Sequence, residues 1–191
     1  MTLKVCQQYQ KKNMKKQANK ENIQVGNSYK FTINNRKHLY EVISINEDGF
    51  LVDGIIVDEN FLYLHKKTNI SHYFFNENLI IEKIEYSLIK DKIIKFETIL
   101  TKLYSTINSN KIKNESKIGL SFYYFNYGNS IIKIISMDDN FVTYEEINFN
   151  SESISKPIIK KIDSKYFITN FLFYLENDFY SEIKEDINKF I

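Results

Sequence analysis

Apolar and polar residues alternate in short segments along most of the chain. Val25, Tyr29, Phe31 and Ile33 fall on alternate positions around and after Gly26, with Lys30, Thr32 and Asn34 between them, which predicts a half-buried strand. A second strand is predicted over about 39–45. The cluster Asn46-Glu47-Asp48-Gly49 then reads as a turn that leads into Phe50-Leu51-Val52 as a hairpin. Further strands are expected at about 54–57, 60–65 and 78–85, with a short helical turn opened by Ser71 before the last. Downstream the order returns: strands near 119–127, 130–137, 141–148 and 157–162, a turn at Ser164, and a strand near 170–175. Pro157 suits the start or edge of a strand, because it has no N–H to give to a ladder.

Two segments carry the helical period instead. Ile89, Ile93, Phe96, Leu100, Leu103 and Ile107 form an apolar stripe behind Ser87, a candidate N-cap, and Leu88, Ile94, Ile99 and Tyr104 widen it. A helix over 87–107 must have that stripe covered, by its own unit, between units, or in a homodimer. A second helix over 181–190 is too short to stand alone and must dock on the body.

The two halves share more than an order of elements. Tyr86 to Phe96 matches Tyr180 to Phe190 at seven of eleven positions, at an offset of 94. Upstream, Ser71, Tyr73 and Phe74 align with Ser164, Tyr166 and Phe167. Gly26 and Ser28 align with Gly119 and Ser121, and Val42-Ile43-Ser44-Ile45 with Ile134-Ile135-Ser136-Met137. The expected organisation is therefore a tail over 1–24 and two repeat units over 25–112 and 113–191, joined through the polar stretch 108–116. The expected fold class is α+β, mainly β: two tandem small antiparallel barrels, each followed by a C-terminal helix.

Composition agrees with a folded chain, since 43% of its 191 residues are hydrophobic and 15% aromatic. The formal net charge of +2 is unevenly spread. Six lysines stand against Glu21 in residues 1–24, so the remainder is mildly acidic. An extended nucleic-acid surface is thus not expected on the body. On the tail, Lys12, Lys16 and Lys20 recur every four residues, and with Lys11 and Lys15 they form a candidate phosphate-contacting set. The competing expectation for this tail is a solvated, frayed terminus. Met14-Lys15-Lys16 also resembles an alternative start. A single cysteine, Cys6, excludes an intramolecular disulfide and suggests a reducing setting. With no apolar leader and no apolar run of spanning length, the chain reads as soluble and cytoplasmic.

Candidate chemistry is sparse. The sequence contains no P-loop, dinucleotide fingerprint, nucleophile elbow or metal-binding His/Glu motif. His65 and His72 fall on different predicted elements and read as surface or turn residues in preference to a metal pair. Cys6 has no histidine near it in sequence. Asp138 and Asp139 read as turn residues, not a carboxylate pair. We expect no enzyme activity and no cofactor.

Five or so short antiparallel strands, with Gly just before the first and a helical turn before the last, resemble the small SH3-like barrel modules of phage and mobile-element proteins. The resemblance implies binding of peptides, nucleic acids or other subunits, for example as an inhibitor of a host system or a minor structural component. One difference between the halves points to a surface. Where the first half has Lys30, Thr32 and Asn34, the second has Tyr123, Phe125 and Tyr127, opposite Phe122 and Tyr124. A strand aromatic on both faces must meet something beyond its own core: the helix over 87–107 or the first unit, or else a partner. The expected function is a non-enzymatic interaction protein that meets a protein partner through Tyr123, Phe125 and Tyr127. The alternative is a nucleic-acid-binding protein using the lysine tail and these aromatics.

Overall fold

In a computed structural model, the structure describes residues 17–18, 22–75, 79–109, 119, 121–125, 128–167, 172–175 and 178–190. The described strands are β1 (Gln17–Ala18), β2 (Ser28–Ile33), β3 (Arg36–Ile45), β4 (Gly49–Val57), β5 (Phe61–Ser71), β6 (Ile81–Ile84), β7 (Ser121–Phe125), β8 (Asn129–Met137), β9 (Phe141–Phe149), β10 (Ser153–Ser155), β11 (Ile158–Asp163) and β12 (Leu172–Tyr174). The helices are α1 (Tyr86–Ser109) and α2 (Phe179–Asn188), and single 3-10 turns cover His72–Phe74 and Ser164–Tyr166. Two compact units emerge: Met1–Ile56 with His65–Asp91, and Val57–Leu64 with Lys92–Ile191.

The expectation of two closed SH3-like barrels is corrected. The strands link in one order, β1-β6-β2-β3-β4-β5-β10-β9-β8-β7-β12, with β11 on β9, and no pairing among the described residues closes either half on itself. The reason lies in β5, whose first residues Phe61, Leu62 and Tyr63 pair antiparallel with Ser155, Ile154 and Ser153 of β10. A strand edge engaged there is not available for closure. The fold class is mixed α+β on an open antiparallel sheet, and the resemblance to phage and mobile-element barrel modules falls with the barrels.

A clean tandem duplication is not what the chain shows either. Gly26 and Gly119 both adopt positive φ, 77° and 83°, and donate their N–H to Val42 and Ile134 at 2.7 and 2.8 Å. The 3-10 turns after β5 and β11 differ in their caps. Ser71 caps its 3-10 turn by accepting from the Tyr73 amide, whereas Ser164 lies inside the corresponding turn and Asp163 caps it. β10 is an additional strand that the repeat did not anticipate.

Local sequence explains the hairpins. Asn34 and Asn35 take φ of 50° and 62°, the left-handed pair that a two-residue turn needs, and close β2 onto β3 with Ile33 opposite Arg36. Asn34 is therefore a turn residue, not part of a polar strand face. Four other turns use one device, a side-chain oxygen accepting two successive backbone amides. Asn46 accepts from Asp48 and Gly49, and Asp58 from Asn60 and Phe61. Asp138 accepts from Asn140 and Phe141, and Asn150 from Glu152 and Ser153. The amides of Phe141 and Asn140 hold the Asp138 carboxyl below the usual range, with Lys161 adding to the effect. Replacing Asn46 with alanine is expected to cost about 1 kcal/mol, read as a lower denaturant midpoint at an unchanged slope.

In the second unit the sheet is covered on both faces. Phe122, Tyr124, Ile132, Ile134, Val142, Tyr144 and Phe167 form the core on one side. The other side carries Lys133 and Glu145, which reach α2 through Asp178, Ser181 and Lys184, and Phe149, whose ring meets Tyr104 of α1 edge-on at 5.5 Å. Lys102 of α1 bridges Glu182 and Asp186 of α2 at 2.7 Å each. Ile89, Phe96, Ile99, Leu100 and Leu103 of the apolar stripe are buried within the chain. No described helix is long and apolar enough to cross a membrane.

Candidate functional site: a histidine and tyrosine hollow in the first unit

The three histidines of the chain all lie in the first unit and belong to one run of touching rings. Period-two alternation puts Arg36, His38 and Tyr40 on one face of β3. His65 comes from β5, and Tyr73 and Phe74 from the 3-10 turn that follows it. With Ile56 and Ser71 they help to line a hollow of about 560 Å³.

The hydroxyl of Tyr40 joins two histidines, 3.2 Å from Nδ1 of His38 and 3.0 Å from Nδ1 of His65. A hydroxyl has one proton to give, so it donates to one ring and accepts from the other. The two imidazoles are thereby coupled: when one carries its proton on Nδ1, the other does not. His38 stacks on Phe31 with centroids 5.0 Å apart and meets Phe74 edge-on at 5.5 Å. It is only 3% exposed. Burial, reinforced by the charges of His65 and Arg36, lowers its pKa to about 4, so the ring is neutral at pH 7. Burial also raises the pKa of Tyr40, which stays a hydroxyl. The rings continue through Phe31, Phe75 and Phe50 to His72, with neighbouring centroids 5.1, 4.8 and 4.6 Å apart. The Nε2 of His72 meets the Asn46 carbonyl at 2.9 Å, which fixes the proton on that nitrogen.

At the rim, Tyr73 is 97% exposed and Phe74 39% exposed. A second hollow, of about 490 Å³, shares Asn69, Ser71 and Tyr73 with the first and is also lined by Glu47, Asp48 and His72. Tyr73 thus borders one hollow that holds Arg36 and aromatic rings and another that holds Glu47 and Asp48. Among the described residues no three His, Cys, Asp or Glu side chains gather as metal ligands.

The residues singled out in the sequence lie elsewhere. Tyr123 is 7% exposed, and its hydroxyl donates to Oδ1 of Asn129 at 2.7 Å. Phe125 sits in β7 opposite Asn129, with its side chain outside the described residues, as is all of Tyr127. Lys11, Lys12, Lys15, Lys16 and Lys20 also lie outside the described residues. His65 and His72 are on different elements, as expected, but His65 is tied into the ring network. Sequence reasoning missed His38 and Tyr40. The available signal was two hydrogen-bonding rings at alternate positions of one strand, just past an Asn-Asn turn that brings an arginine beside them. No family model, curated protein or solved structure matches this chain.

Proposed function

We propose that the protein is a non-enzymatic interaction protein and that it meets a protein partner through the Tyr73 rim of the first unit. The observation that carries this reading is the almost complete exposure of Tyr73, a large aromatic side chain beside Phe74 and Arg36 at the mouth of a hollow. Tyrosine, phenylalanine and arginine are enriched at protein interfaces, and truncating a central one typically weakens binding the most. The buried His38 and Tyr40 serve as a rigid floor beneath that rim, which limits the ordering cost of binding. In the second unit, burial of Tyr123 on the helix-covered side of the sheet does not favour contact there. The lone cysteine suits work inside a cell.

Replacing Tyr73 with serine is expected to leave stability within about 0.5 kcal/mol and to weaken partner capture at least about thirtyfold. Capture by the immobilised full chain from host extract, compared with Tyr166→Ser in the second unit, checks this. Equal capture by the wild type and Tyr73→Ser would remove the reading.

A further inference from the structure

We propose that the hollow of the first unit selects an acidic side chain of the partner, a carboxylate carried on an apolar or aromatic segment. This rests on the interface reading above and names the chemistry that the interface would recognise. The described residues lining the hollow include Arg36 as the one fixed cation and His65 as a second group able to carry positive charge, and none of them is Asp or Glu. The walls also include Tyr40, Ile56, Tyr73 and Phe74, which suit an apolar or ring-bearing body beside the charge, together with the polar Thr68, Asn69 and Ser71. The guanidinium of Arg36 has five N–H donors, so it can keep an existing contact and still fork onto a carboxylate. Glu47 and Asp48 line the adjoining hollow that shares Tyr73, where they would repel an acid displaced from its place and steer it back.

The three histidines make the test direct, because the full chain gives only three imidazole Cε1–H signals, assigned with His65→Gln and His72→Gln. Sodium benzoate is expected to move the His38 and His65 signals saturably and to leave that of His72. Benzamide, its uncharged analogue, should bind at least about tenfold more weakly. Benzylammonium should not move the His38 and His65 signals. Arg36→Gln should weaken benzoate by about tenfold while the spectrum stays folded. Acetyl-Phe-Glu-Phe-amide should displace benzoate at least about tenfold better than its Gln counterpart.

Equal shifts from benzoate and benzamide, or unchanged benzoate binding in Arg36→Gln, would overturn the preference for an acid. Loss of partner capture in Tyr73→Ser alongside that result would leave the interface standing and remove only its chemistry. Benzoate binding with no displacement by the Glu peptide would assign the hollow to a free aromatic acid and overturn the partner segment.

Discussion

Gly54→Ala is expected to unfold the first unit or to cost it at least about 3 kcal/mol. A Cβ at Gly54 would run into the Leu39 carbonyl oxygen and into Cδ1 of Tyr40, with the Leu39 carbonyl carbon at 3.0 Å. A backbone oxygen in a neighbouring strand cannot move without breaking its ladder, and the Tyr40 ring is fixed by two histidines. The same argument applies to Gly49→Ala, whose Cβ would meet the Ile70 carbonyl oxygen, with the carbonyl carbon at 2.7 Å. Gly26→Ala is the control. Nothing lies within 4 Å of a Cβ there, and the only penalty is the positive φ of 77°, about 1–2 kcal/mol. Denaturant unfolding of the three variants should rank Gly26→Ala well above the other two. A Gly54→Ala protein as stable as Gly26→Ala would show that β3 and β4 do not approach as described.

The second large effect is a loss of stability in mild acid that depends on His38. Its pKa falls from 6.5 in the unfolded chain to about 4 in the folded one, because burial penalises the charged ring. Between those values the unfolded chain binds the extra proton, so acid pulls the equilibrium toward unfolding. The contribution is fully present above about pH 6.5, declines as the pH falls, and is gone near pH 4. The total is about 3 kcal/mol. Carboxylates titrate in part of the same window, so the measurement is a difference: between pH 7 and pH 4 the wild type should lose about 3 kcal/mol more than His38→Gln. Parallel losses in the two proteins would mean that the His38 ring is already solvated in the native state.

Much of the element order was legible, because it rests on short-range chemistry. The stripe through Phe96, Leu100 and Leu103 dictated α1, and the Asn46-to-Gly49 cluster dictated a hairpin. The 3-10 turn after Ser71 followed from its capping hydroxyl. Pairing partners were not legible. Alternation tells a strand which face is buried but not which neighbour takes its edge, so nothing in Phe61 to Leu64 announced that β10 would pair there. Nothing in the aromatic strand β7 announced how it would be covered, and the structure buries Phe122, Tyr123 and Tyr124 alike.

The candidate site was hidden for a related reason. His38 lies inside an ordinary strand pattern, and its significance depends on His65, which is 27 positions later and becomes a neighbour only after two hairpins form. Reading β2 as continuing through Asn34 also concealed the turn that delivers Arg36. The rim of the hollow was partly visible, since Tyr73 was noticed, but only as a repeat marker.

An edge strand of the second unit bears on behaviour at high concentration. β11 pairs with β9 on one side and, among the described residues, with no strand on the other. Pro157 precedes it with no amide hydrogen to offer, while Lys160 pairs with Glu146 and Lys161 lies over the Phe141 ring at 4.1 Å. A second molecule trying to extend its ladder along this border would find a gap in the hydrogen-bonding row at Pro157. Placed at an edge beside the exposed Ile159, where polymerisation would otherwise begin, Pro157 is expected to slow fibre growth.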